Sequence, residues 1–147
     1  MSAGVLFAKY KGAKVLVADD EPSILELIGY ILESLGLECI AANDGIEGLR
    51  KYCDHSPVIV MTDLYMPKKN GLMLAQEIQA MKPDIPIIVM TGSISENSII
   101  FSPNTHITDV LLKPFTLTDV ILAMKKALQQ LEDAEKEHTA YQKNKLS

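Results

Sequence analysis

The chain has 147 residues, 48% of them hydrophobic, with positive mean hydropathy and no low-complexity tract, so one compact domain is expected and a second is not. A net charge of −5 argues against the basic field of a general nucleic-acid binder, and no direct nucleic-acid contact is expected. Cys39 and Cys53 lack the close CxxC pairing of a zinc or redox site, and the opening apolar run is too short for a signal h-region or a membrane span, which together predict a reduced, cytoplasmic protein with no membrane insertion.

Residues 1–12 read as an N-terminal extension whose one apolar run, Val5 to Ala8, gives way to Lys9 and Lys11. Lys14-Val-Leu-Val-Ala18 is then a short run with the β-branched content of a buried strand, and Asp19-Asp20 stand at its C-terminal end. Pro22 fits the first turn of a helix in which Ile24, Ile28, Ile31 and Leu35 recur at helical spacing until Gly36 stops it. Leu37 to Ala42 predicts a second strand, and a helix from about Asp44 follows, with Ile46, Leu49 and Cys53 on one face.

Pro57 introduces Val58-Ile-Val-Met-Thr62 as a third strand; Asp63 stands directly past it, before the Met66-Pro67 break and the Asn70-Gly71 turn. Leu74, Ile78 and Met81 mark a third helix that Pro83 ends, and Pro86 opens the strand Ile87 to Met90 with Thr91-Gly92 at its tip. Between Ser93 and Thr108 the Ser-rich composition, Pro103 and Asn104 leave room for only a short helix, around Glu96 to Phe101. Asp109 to Leu112 is a last short strand ending at Lys113-Pro114. A final helix begins near Thr116, with Leu117, Ile121, Met124, Leu128 and Leu131 alternating by four and three. Residues 13–131 thus form the domain. Residues 132–147 are a charged C-terminal helical extension or tail, which pairs such as Glu132 with Lys136 help to prolong as helix.

Five apolar strands alternating with helices predict an α/β fold: a doubly wound, five-stranded parallel sheet in the order 2-1-3-4-5, flavodoxin-like. In that order the first and third strands are neighbours, roughly 4.8 Å apart, so Asp19, Asp20 and Asp63 converge on one crevice at the carboxyl ends of the strands. Thr91 and Lys113 line its far side. Three crowded carboxylates repel one another unless a cation neutralises them, and a hard divalent ion such as Mg²⁺ suits an all-oxygen site that keeps waters. An aspartate so placed can accept a phosphoryl group as an acyl phosphate, given a metal and a nearby ammonium to stabilise the moving charge. Any one of these residues alone is unremarkable, since aspartates commonly cap helices or turn loops; the constellation points to Asp63 as acceptor, with Lys113 and Thr91 on the phosphoryl oxygens.

The chain resembles the receiver domain of two-component response regulators through Asp19-Asp20-Glu21-Pro22, Asp63-Leu-Tyr-Met66-Pro67 with Gly71, Thr91-Gly92 and Lys113-Pro114, in that order along about Ala13 to Leu131. The resemblance implies a phosphorylation-dependent switch of the single-domain type, in which Asp63 accepts phosphate from a histidine kinase or a phosphotransfer protein. It further implies Mg²⁺ held by Asp20, Asp63 and the backbone carbonyl of Tyr65, with Asp19 acting through water, and a cis Lys113-Pro114 bond. A downstream protein target, and a homodimer in some state, belong to the same expectation.

Two features depart from the family pattern. Val110 stands three residues before the lysine, where an aromatic usually sits, so no aromatic rotamer switch is available there, and Ser95 to Thr108 lacks a long amphipathic fourth helix. These departures leave open a phosphorylation-independent adaptor or dimerisation module. A Mg²⁺-dependent phosphohydrolase is disfavoured because Tyr65, two residues after Asp63, stands where such enzymes carry a second aspartate. His55, His106 and His138 are scattered and are assigned no function.

Overall fold

In the computed structural model, which describes residues 1–93 and 104–146, the five apolar runs form the strands β1 (Lys14–Ala18), β2 (Glu38–Ala42), β3 (Ile59–Asp63), β4 (Ile87–Thr91) and β5 (Asp109–Leu112). All pairings are parallel and the order is β2-β1-β3-β4-β5. Asp63 is the last residue of β3 rather than the first beyond it. The helices are α1 (Ala3–Lys9), α2 (Pro22–Ser34), α3 (Gly45–His55), α4 (Gly71–Met81) and α5 (Leu117–Leu146).

Strand side chains alternate between faces, so the sheet divides its apolar residues between two cores. Val15, Val17, Ile59, Met61, Ile88 and Met90 pack with Ile28, Ile31 and Leu32 of α2 and with Met124 and Leu128 of α5. Leu16, Ala18, Val60, Ile87 and Val89 pack on Leu74, Ala75 and Ile78 of α4, with Leu49 and Tyr52 of α3 alongside. Burial on both faces explains why these strands read as continuous apolar runs rather than alternating ones.

The helix starts follow local chemistry. Pro22 occupies the first turn of α2, while Asp44 caps α3 by accepting the Glu47 N–H at 2.8 Å and Asn70 caps α4 by accepting the Met73 N–H at 2.8 Å. Before α5, Thr116 and Asp119 bond reciprocally, at 3.1 and 2.8 Å, as a capping box.

The buried face of α3 differs from the expected one. Ile46 and Cys53 are exposed, and the helix instead turns Gly45, Gly48, Leu49 and Tyr52 inward. The physical reason is proximity: a Cβ on Gly48 would lie 3.0 Å from Leu74 Cδ2, so α3 approaches its neighbours along a glycine edge that hydrophobic periodicity does not register. The axis of α5 is likewise rotated, burying Val120, Ala123 and Ala127 beside Met124 and Leu128 and leaving Leu117 exposed.

The first twelve residues contain a helix. Ser2 caps α1, Leu6 is fully buried in the α2–α5 core, and Phe7 and Tyr10 pack beside it. Helix α5 runs on to Leu146, and the end of α1 meets its middle: the Lys9 ammonium lies 2.5 Å from Glu132 Oε2 and 3.0 Å from Glu135 Oε2, and the Tyr10 hydroxyl donates to Glu132 at 3.1 Å. Lys9, with Tyr10 adding to it, holds the buried Glu132 carboxyl below the usual carboxylate range. The short helix expected around Glu96 to Phe101 lies outside the described residues, and among the described residues no helix is long and apolar enough to cross a membrane.

Truncating Leu6 to alanine removes the one fully buried anchor of α1 and is expected to cost about 3 kcal/mol, in the range of buried leucine truncations. Chemical denaturation measures the loss, and limited proteolysis should show faster cleavage ahead of β1; unchanged stability would mean that α1 does not dock.

Candidate functional site

Parallel strands bring their carboxyl ends to one edge of the sheet, and the neighbouring ends of β1 and β3 carry the acids. Ala18 pairs with Thr62, so Asp19 follows β1 beside Asp63 at the end of β3. Asp19, Asp20 and Asp63 each offer a carboxylate oxygen, and these oxygens lie within 4.8 Å of one another. Asp19 is fully buried, Asp63 is 8% exposed and Asp20 is exposed, so the cluster opens to solvent on the Asp20 side.

Lys113 comes from beyond β5, two strands away from Asp63. Its backbone N–H donates to the Thr91 carbonyl at 2.8 Å, tying it to the end of β4, and the Lys113-Pro114 peptide is cis. Its ammonium donates to Asp19 Oδ2 at 2.9 Å and to Asp63 Oδ2 at 3.3 Å, with Glu21 Oε1 at 3.6 Å. The other Asp19 oxygen accepts the Glu21 N–H at 2.9 Å. Buried Thr91 closes β4 one residue past Met90, the register partner of Asp63, and its hydroxyl contacts the Ser93 backbone at 3.3 and 3.4 Å.

The electrostatics follow from this crowding. Burial raises the Asp63 carboxyl above its ordinary value and the Asp19 charge raises it further, while the Lys113 ammonium and the Tyr65 N–H offset only part of that. Burial alone would lower Lys113, but the Asp19 and Asp63 carboxylates outweigh it and hold its ammonium above the usual lysine range. One ammonium therefore leaves negative charge uncompensated. The remaining donors are hard oxygens, and their spread of 4.8 Å is close to the roughly 4.2 Å that separates opposite ligands of an octahedral Mg²⁺ with bonds of about 2.1 Å. The donor set fits a Mg²⁺-sized cation.

All the residues singled out from the sequence gather at this edge: Asp19, Asp20, Asp63, Tyr65, Thr91 and Lys113. Glu21, which the sequence marks only as part of a motif, is a neighbour of the Lys113 ammonium. Gly71 is fixed by the site as well, since a Cβ there would stand 1.9 Å from the Asp63 carbonyl oxygen. Val110 is half-buried and packs on the α4-side core.

A doubly wound sheet with an acidic crevice and an invading lysine at its switch point defines a receiver-type regulatory domain. Residues 15–125 match the family model described as the response regulator receiver domain, and the chain belongs to that family. It is 32% identical over 121 residues to the alkaline phosphatase synthesis transcriptional regulatory protein PhoP of Bacillus subtilis, covering 82% of this chain and 50% of PhoP. It is also 32% identical to the Escherichia coli K12 transcriptional regulatory protein GlrR, covering 82% of this chain and 27% of that protein. The chain thus spans half or less of these two relatives. Among solved structures, a response regulator receiver domain protein from Clostridium thermocellum superposes with a TM-score of 0.74 at 34% identity, covering 82% of this chain and 97% of that one. The Thermotoga maritima response regulator TrrA, solved in complex with Mg²⁺ and BeF, gives 0.71 at 32% identity, covering 78% and 98%.

Because the folded state raises the Asp63 carboxyl, it binds that proton more tightly than the unfolded chain does. Stability is therefore lost as pH rises from the ordinary aspartate value through the raised one. Asp63→Asn, without divalent cations, is expected to raise stability at neutral pH by about 1 kcal/mol, the scale on which relieving a strained functional site stabilises a protein. The gain should shrink as pH is lowered through the raised value. Thermal melts in chelator across that range check both, and a variant less stable than the parent at neutral pH contradicts the assignment.

Proposed function

We propose that the chain is a phosphorylation-dependent signalling switch in which Asp63 accepts a phosphoryl group from a histidine kinase or a phosphotransfer protein. The observation that carries this reading is the Lys113 ammonium held between Asp19 and Asp63 inside a crevice whose negative charge it does not balance. Asp20, Asp63 and the Tyr65 carbonyl would hold Mg²⁺, with Asp19 acting through water. The bound cation would draw Asp63 back toward its ionised, nucleophilic form and share the charge of the transferred group.

This chain's own residues do the rest. The Asp63 oxygen attacks phosphorus and the histidine nitrogen of the donor leaves, so the crevice must take up the three phosphoryl oxygens. Lys113, already within 3.3 Å of Asp63, exchanges that contact for one to a phosphoryl oxygen, and the Thr91 hydroxyl donates to another. Both residues belong to backbone joined by the Lys113 N–H to Thr91 carbonyl bond, so their rearrangement couples the ends of β4 and β5. The readout is altered binding to a downstream protein in the cytoplasm. With half-buried Val110 in place of the usual aromatic, it proceeds without an aromatic side chain turning at that position.

Incubation with Mg²⁺ and acetyl phosphate tests this reading. The expected result is a mass gain of one phosphate that Asp63→Ala abolishes; no gain selects the phosphorylation-independent adaptor, and turnover of phosphomonoesters selects a hydrolase. Tyr65, two residues after Asp63 and 53% exposed, would partly shield the acyl phosphate from an in-line water. Tyr65→Asn is expected to hydrolyse the acyl phosphate several-fold faster in a radiolabel chase, and an unchanged decay rate rules out shielding.

A further inference from the structure

The segment from Leu64 to Asn70 joins β3 to α4 and carries the Tyr65 N–H that donates to the Asp63 carboxylate. Its ends are pinched together, since the Gly71 N–H donates to the Leu64 carbonyl at 2.8 Å, and the Lys69 N–H donates to the Pro67 carbonyl at 2.8 Å within it. These two hydrogen bonds brace it from within.

The segment rests on the first residues of α3, an element that contributes no side chain to the crevice. The Lys69 carbonyl oxygen lies 2.1 Å, and Lys69 Cβ 2.6 Å, from where a Cβ on Gly45 would stand. Next to this contact Lys68, at φ +69°, places its ammonium 3.3 Å from Asp44 Oδ2, while Asp44 Oδ1 caps α3. On the far side the Lys69 ammonium pairs with Glu77 of α4. The Asp63 loop is thus clamped between two helices, and on the α3 side the contact is backbone against backbone.

We propose that Gly45 is a positioning residue for the phosphoacceptor site: its missing side chain lets the loop settle on α3 at the height that sets the Tyr65 backbone beside the strand-held Asp63 carboxylate, where a divalent cation would bind. The inference rests on the Mg²⁺ reading above. A methyl group at position 45 forces the Lys69 carbonyl from 2.1 Å to at least 3.0 Å away, and a backbone carbonyl cannot swing aside as a side-chain tip can. Mg²⁺ demands near-ideal octahedral geometry, so a loop shift of this size distorts its coordination.

Gly48, one turn further along α3, separates this role from mere packing. Its missing Cβ faces Leu74 Cδ2 at 3.0 Å, the tip of a flexible side chain in the core. Mg²⁺ titration of the full chain by calorimetry is expected to show binding about tenfold weaker in Gly45→Ala, the lower end of what supporting residues around a metal site contribute. Gly48→Ala should bind within about twofold of the parent. Equal losses in both variants, or an unchanged Gly45→Ala, overturn the inference while leaving the Mg²⁺ reading intact; a parent chain that binds no Mg²⁺ overturns both. Should Gly45→Ala fail to fold, the parent chain supplies the decision: because the loop is seated directly on Gly45, Mg²⁺ binding is expected to shift the amide resonances of Gly45 and Glu47 as well as those of Tyr65 and Lys69. Silence at Gly45 and Glu47 overturns the inference.

Discussion

Repulsion between carboxylates held out of water organises this domain. Asp19 is fully buried and Asp63 nearly so, on neighbouring strands, and burial together with the Asp19 charge raises the Asp63 carboxyl. The fold answers with one ammonium, delivered by Lys113 from beyond the end of β5. That ammonium leaves the crevice net negative, the condition under which the proposed divalent cation would be held.

Delivering three acids and a lysine to one place requires every strand to end at the same edge, which only a parallel sheet does. The order β2-β1-β3-β4-β5 then sets the acids side by side and puts β4, with Thr91 at its tip, between them and Lys113. The strands are buried on both faces and hold these positions rigidly. The loop after β3 has no such support from the sheet and is located by helix ends instead, against bare backbone at Gly45 and Gly71.

The two chain extensions touch each other rather than the crevice. Lys9 and Tyr10 converge on buried Glu132 at the opposite end of the sheet, and Leu6 fills a gap between α2 and α5. Beyond Glu135 the side chains of α5 are exposed through Leu146, so the final turns gain nothing from the core and persist as a continuation of a helix already nucleated within it.

Strands, crevice and most helix boundaries were legible in the sequence because each depends on local pattern: short β-branched runs, a proline or capping residue at a helix start, an acid just past a strand. Once five strands alternate with helices, the order of the sheet is nearly forced, and the acids at the ends of β1 and β3 meet by necessity. Three things came only from the tertiary structure. α1 rests on a run of four apolar residues too short to declare a helix, and its anchor Leu6 has meaning only once α2 and α5 leave a space for it. The inward face of α3 is not legible from periodicity because its closest contacts run through Gly45 and Gly48, residues that hydrophobic periodicity does not count. The seat of the Asp63 loop on Gly45 escaped for the same reason: a close approach of two backbones is written in the sequence only as an absent side chain, and what that absence accommodates is decided by the neighbour that folds against it.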